Sequence, residues 1–334
     1  MQFRCVLSVL AGLVLATGAA AQNNVDAAFV REAIARGAIV WDVRPTPEYL
    51  KGHLPGAVSV GEVGRVLRDP NREDFLPTPV IESILGGAGI DPRAEIIVYG
   101  STGNPAAAFA QHTILYFGGR RARIYHAGFE DWVARGGAVE TSPSRRPAVA
   151  LSLKEDPSTF VTTDEVIRMI GSANVQIVDS RTPEEFKGND IRAIRGGHVP
   201  GAVNIPYEQN WKDPETPAKL ARKEAKDSSG MDLKQTGALR ALYAKLDPAK
   251  ETVVYCQSGV RAAQTAAVLR DLGFRNVRVY ESSWLGYAAK LSAPVQNETF
   301  FNVGALTARL SGMQRRLEQL EKELAAERAK AGAK

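Results

Sequence analysis

The chain contains one thiol in a setting where sulfur can act as a nucleophile. Cys256 lies in Val253-Val254-Tyr255-Cys256-Gln257-Ser258-Gly259-Val260-Arg261-Ala262, an apolar run followed by a small, polar turn and then a helical pattern. Val253 to Tyr255 predicts a buried strand, and Ala262 to Leu272 predicts a helix with Ala266, Leu269 and Leu272 on its apolar face. A loop that folds around one sulfur and opens a helix turns several backbone N–H groups inward and adds the positive helix end, so it favours the thiolate without a neighbouring histidine. Gly259 supplies the backbone freedom that such a turn requires. The competing reading, a small buried core cysteine, does not account for the strand, loop and helix around it.

The elements that position this thiol occur twice. Ile39-Val40-Trp41-Asp42-Val43-Arg44, then Glu48-Tyr49, then Gly52-His53-Leu54-Pro55-Gly56-Ala57-Val58 is answered by Ile177-Val178-Asp179-Ser180-Arg181, Glu185-Phe186 and Gly197-His198-Val199-Pro200-Gly201-Ala202-Val203. Each half continues through a second strand, Ile96 to Tyr99 or Thr252 to Tyr255. A loop, an apolar helix, a short strand ending at Tyr125 or Tyr280, and an aromatic segment follow. Strands alternating with helical patterns predict an α/β fold of two tandem domains, each a mostly parallel sheet flanked by helices. At the position of Cys256 the first half has Gly100, so it lacks the sulfur and reads as a structural or substrate-shaping partner. Ser101 and Thr102 stand beside Gly100 without a base nearby and fit an ordinary turn better than a nucleophile.

The expected organisation is a signal peptide over 1–21, an inactive domain over 22–141, a linker over 142–150, a catalytic domain over 151–292 and a helical coiled-coil tail over 293–334. The first segment has a cationic start, an apolar run from Cys5 to Leu15 and small residues at Ala19-Ala20-Ala21, the pattern of a cleavable secretory signal. Its removal would take Cys5 with it and leave Cys256 as the sole thiol of a periplasmic or secreted protein, with no internal disulfide open to it. No later segment is long and apolar enough to span a bilayer. Thr162 and Glu165 predict a capping box for a helix through Ile170. The insertion Asn189 to Gly196 and the polar stretch Trp211 to Gln235 are expected near the active-site entrance, since functional variation collects on loops.

With 42 basic and 37 acidic side chains the net charge is a modest +5. The basic clusters at Arg120-Arg121-Arg123 and Arg145-Arg146 lack interleaved aromatics, so nucleic acid is not an expected partner, and a weak attraction for anions is all the charge implies. In the tail, Leu306, Leu310, Met313, Leu317, Leu320 and Leu324 alternate spacings of four and three, a heptad seam fit for self-association, for a protein partner through 305–328, or for packing back on the body.

Taken together, Asp-x-Arg, Glu-aromatic, Gly-His-x-Pro-Gly-Ala and the Cys loop resemble the rhodanese family of sulfurtransferases in its two-domain form, over about Val25 to Tyr287. Four residues separate Cys256 from Arg261, whereas related phosphatases and arsenate reductases carry one more. The tighter loop fits a single sulfur atom. The resemblance implies that Cys256 takes sulfur from a small anionic donor such as thiosulfate, holds it as a persulfide and passes it to a thiol or cyanide, with no cofactor and no metal. It further implies that Gln257, Ser258, Gly259, Val260 and Arg261 bind the persulfide, with Arg261 orienting the loop or attracting the donor. Asp179 and Arg181 would brace the site, or contact substrate directly. His53 and His198, present in both halves, read as turn residues, and Trp211 and Trp284 as core. The thiosulfate enzymes of the two-domain type carry basic loop residues and an arginine before the aromatic, where this chain has Gln257, Ser258 and Glu185. Ser258 is similar to the loop serine of mercaptopyruvate sulfurtransferases. A second reading, from a different class, is a noncatalytic sulfur carrier or assembly protein that docks a redox partner through its tail.

Overall fold

A computed structural model of the chain describes residues 22–70 and 74–332; the signal expected at 1–21 lies outside the described residues. Two parallel sheets carry the repeat. In the first half the strand order is Val58–Ser59, Ile39–Asp42, Ile96–Tyr99, Ala122–Tyr125. In the second it is Val203–Asn204, Val175–Asp179, Glu251–Tyr255, Asn276–Tyr280, with Phe160–Val161 on the far edge. Ile39–Asp42 and Ile96–Tyr99 are buried along their whole length, which is why they read as unbroken apolar runs rather than alternating ones.

Register makes the two halves equivalent at atomic scale. Asp42 pairs with Tyr99 in one sheet and Asp179 with Tyr255 in the other. The next residues along the central strands are Gly100 and Cys256, so both occupy the carboxyl end of a central strand, where open α/β sheets place their ligands.

The halves meet through the helices that follow these two positions. Ala106–Tyr116 and Val260–Asp271 are buried on nearly all sides, and Ala107, Ala110, Ala263 and Ala267 share one apolar cluster across the boundary. Small side chains there let the two helices approach closely. Asp271 ties the ends together by accepting from the backbone N–H of Asn23 at 2.5 Å and of Asn24 at 3.0 Å. Residues 142–150 carry no regular secondary structure. They run along the first half, where Val149 N–H donates to Gly86 O at 2.9 Å.

The capping box is present: Thr162 caps the helix Thr163–Met169 and Glu165 returns the bond. The tail differs from the plain expectation of a helix. Gln296–Phe300 first forms a strand antiparallel to Arg195–His198, and only then does a helix run from Val303 to Gly332. Among the described residues no helix is long and apolar enough to cross a membrane.

Candidate active site

Strand Glu251–Tyr255 delivers Cys256 to the sheet edge, and the chain then turns at Gly259 into the helix Val260–Asp271. The turn is held from below by the segment after Tyr280. Cys256 N–H donates to Ser283 Oγ at 3.1 Å, and Ser283 Oγ in turn donates to Tyr280 O at 2.7 Å. Cys256 O accepts from Trp284 N–H at 3.0 Å and Gln257 O from Leu285 N–H at 3.1 Å. Ser283 adopts φ +48°, a left-handed conformation that a side chain resists. Its counterpart Gly128, with φ +69°, sits where a Cβ would collide with Gly100 O.

Gly259 is required twice over. Its φ is +83°, and a Cβ there would lie 2.9 Å from Glu281 O and 3.3 Å from Glu281 Oε2. Among the described residues, no protein group accepts from the backbone N–H groups of Gln257 through Ala262. Six successive donors are therefore left for an anionic atom held in the loop, beside a buried thiol with 1% exposure.

Arg261 does not stand free above the sulfur. Its guanidinium forms a two-pronged pair with Glu185, Nη1 to Oε2 at 2.8 Å and Nη2 to Oε1 at 2.9 Å. Burial opposes ionisation of Glu185, yet the Arg261 hydrogen bonds and charge outweigh it and hold the carboxyl at about 2. Glu185 is also fixed by Thr182, which it caps reciprocally. Glu208, close to the same group of charges, is pushed upward by burial, and its Oε2 is buried without a partner.

Asp179 and Arg181 lie under the loop in a fully buried pair. Arg181 Nη2 donates to Asp179 Oδ2 at 2.6 Å and to Gly197 O at 2.7 Å, and its guanidinium stacks 4.5 Å from the Trp284 ring. Asp42, Arg44 and Gly52 O repeat the arrangement at 2.6 Å for both bonds, with Phe129 in place of Trp284. A device equally complete in the half without a cysteine braces the fold. His198 Nδ1–H donates to Phe186 O at 2.8 Å and its ring stacks on Phe186, as His53 does with Tyr49. Trp211 and Trp284 are buried.

The insertion Asn189 to Gly196 reaches the site: Gln257 Nε2 donates to Arg192 O at 2.7 Å. The far part of the Trp211 to Gln235 stretch departs from expectation. Met231 seats on Gly103, where an added Cβ would lie 2.6 Å from its own, and its carbonyl meets His126 Nε2 at 2.9 Å. It covers the first half's loop, because that turn of small residues leaves room for a side chain.

The local motifs leave out two groups, Ser283 and Glu281. Ser283 could have been found from the repeat, as the residue aligned with a glycine of positive φ. Glu281 pairs with His112 and with Arg68, whose Nη1 lies 3.1 Å from Glu281 Oε2, in a buried cluster joining the halves beside Gly259. Nothing local in sequence announces the partners of Glu281, 169 and 213 positions away.

Two tandem parallel α/β units, one with a cysteine loop at the end of its central strand and one with Gly100 in that place, define a two-domain α/β protein with a candidate nucleophile in its second half. The rhodanese-like domain pattern matches residues 26–135 and 162–290, and the chain belongs to that family. It is 34% identical over 259 residues to a thiosulfate sulfurtransferase of Corynebacterium glutamicum, covering 73% of this chain and 80% of that protein. It is 32% identical over 262 residues to a putative thiosulfate sulfurtransferase of Saccharopolyspora erythraea, covering 75% and 87%. Among solved structures, the anaerobic ergothioneine biosynthesis enzyme from Chlorobium limicola superposes with a TM-score of 0.68 at 19% identity. That match covers 82% of this chain and 70% of the other and shows a shared fold. The chain is a sulfurtransferase.

Proposed function

We propose that this protein is an exported sulfurtransferase that moves sulfane sulfur from a donor such as thiosulfate to a thiol or cyanide through a persulfide on Cys256. The observation that carries the reading is the run of six successive N–H groups, without a protein acceptor among the described residues, that follows a buried thiol at the carboxyl end of the central strand. The Cys256 thiolate attacks the outer sulfur of thiosulfate. The S–S bond of the donor breaks with its electron pair leaving on sulfite, and the new Cys256 S–S⁻ carries the negative charge toward the loop N–H groups. Cyanide or an acceptor thiolate then attacks the outer sulfur and returns the Cys256 thiolate. Gln257, Ser258, Gly259, Val260 and Arg261 supply the loop, while Asp179 and Arg181 hold the strand end beneath it. Export to the periplasm or medium rests on the pattern of residues 1–21, and the seam at 305–328 supports association with another helix.

The test is intact mass of the protein after thiosulfate, followed by cyanide with thiocyanate measured, and Cys256→Ser as control. Gain of one sulfur, about 32 Da, absent in the variant and discharged over repeated turnovers, is expected. Turnover that persists in Cys256→Ser would overturn the assignment, and loading without turnover would favour a carrier.

A further inference from the structure

The helix Val303–Gly332 projects from the body with its apolar stripe uncovered. It is 30 residues long, about 45 Å at the α-helical rise, and the side chains of Leu306, Leu310, Met313, Leu317, Leu320 and Leu324 are between 40% and 61% exposed. Along residues 303–330 every position but Gly312 is exposed. No face of the described body covers the stripe, so the packing that ordinarily stabilises an amphipathic helix has to come from elsewhere.

The charges flanking the stripe select what covers it. Placing Val303, Leu310, Leu317 and Leu324 at heptad position a puts Leu306, Met313 and Leu320 at d. Position g then carries Arg309, Arg316, Glu323 and Lys330, and position e carries Thr307, Gln314, Glu321 and Arg328. In a parallel pair each g side chain faces the e side chain five residues further along the partner helix. Arg316 then meets Glu321 and Glu323 meets Arg328, each contact occurring twice by symmetry. An antiparallel pair sets g against g, and with the seams fully overlapping it confronts Arg316 with its own counterpart and keeps only the two Arg309–Glu323 contacts, against four attractive contacts in the parallel pair. Among the described residues of the single chain Arg316 reaches only Glu323, at a marginal 4.0 Å.

We propose that this protein forms a parallel two-stranded coiled-coil homodimer through residues 303–328, with a second copy of the same chain as the occupant of the Leu306 to Leu324 seam. The contact is isologous, so it closes at two copies and places both sulfur-transfer bodies at the amino-terminal end of the coil. It is independent of the chemistry at Cys256.

The test uses the full mature chain in sedimentation equilibrium, with three sets of variants. Wild type is expected to be a dimer that dissociates on dilution, and Leu317→Glu a monomer with unaltered sulfur transfer. Arg316→Glu sets Glu against Glu and is expected to weaken the dimer about tenfold, while Arg316→Glu combined with Glu321→Arg restores it. Under mild oxidation Met313→Cys and Leu324→Cys are each expected to cross-link to the same position of the second copy, as only a parallel in-register pair allows at both sites. The remaining thiol, Cys256, is buried. A monomer at every concentration, a larger oligomer, or cross-linking at only one of the two positions would overturn the proposal.

Discussion

Arg261 and Glu185 face each other across the Cys256 loop in a two-pronged ion pair of 2.8 and 2.9 Å, with Glu185 almost fully buried. The Arg261 charge is thereby already matched by an anion, which Arg192 Nη1 also approaches at 3.6 Å. Glu185→Gln removes that match, leaves the Arg261 charge to an anionic donor and is expected to lower KM for thiosulfate about two- to fivefold. Unpairing a buried guanidinium should also cost about 3 kcal/mol of stability. An unchanged KM would mean that Arg261 does not act on the donor. Because the folded carboxyl ionises at about 2 against an ordinary 4.5, its stabilising effect is complete above about pH 4.5 and fades as pH falls toward 2. The acid limb of a stability profile should therefore flatten in the variant.

Ser283 combines a costly backbone with a useful hydroxyl, and two substitutions separate them. Ser283→Ala keeps the Cβ at φ +48° and strands the buried Cys256 N–H, so a loss of about 1–3 kcal/mol and reduced turnover are expected. Ser283→Gly strands the same N–H but relieves the backbone, so its loss is expected to be about 1 kcal/mol smaller than that of Ser283→Ala while turnover still falls. Equal stability of the two variants by denaturant titration would count against a strained conformation.

Gly259 and Gly201 both adopt positive φ, +83° and +78°, but only Gly259 is also crowded. Gly201→Ala meets open space and is expected to cost about 1 kcal/mol. Gly259→Ala drives its methyl at Glu281 O and should cost at least about 2 kcal/mol with most sulfur transfer lost. Comparable thermal shifts for the pair would show that the loop yields more readily than its packing implies.

Glu281 holds Arg68 and His112 of the other half in a buried cluster. Glu281→Ala is expected to destabilise the protein by about 3–5 kcal/mol, because it removes the buried carboxylate that accepts from Arg68 and pairs with His112 between the halves. The halves should also loosen, which limited trypsin digestion would register as faster cleavage after Arg145, since the following Arg146–Pro147 bond resists the protease. Unchanged cleavage together with a small stability loss would remove Glu281 from the interface.

Features that rest on short-range rules are legible in the residues alone. The strand into Cys256, the turn that needs Gly259, the capping box at Thr162 and the heptad seam each follow from neighbouring residues, periodicity or backbone sterics. The tandem organisation was legible because the same motifs recur in order, and the repeat carried the fold of one half onto the other. It also exposed Gly100 as the place where the first half lacks a sulfur.

Only the tertiary structure decided which distant groups touch that loop. Arg261 meets Glu185 because adjacent parallel strands bring segments 76 positions apart to the same sheet edge. Arg68 and His112 reach Glu281 because two alanine-faced helices pack closely enough to bury ions between the halves. Pairings of this kind depend on sheet order and on the distance between packed helices, and neither leaves a periodic trace in the chain.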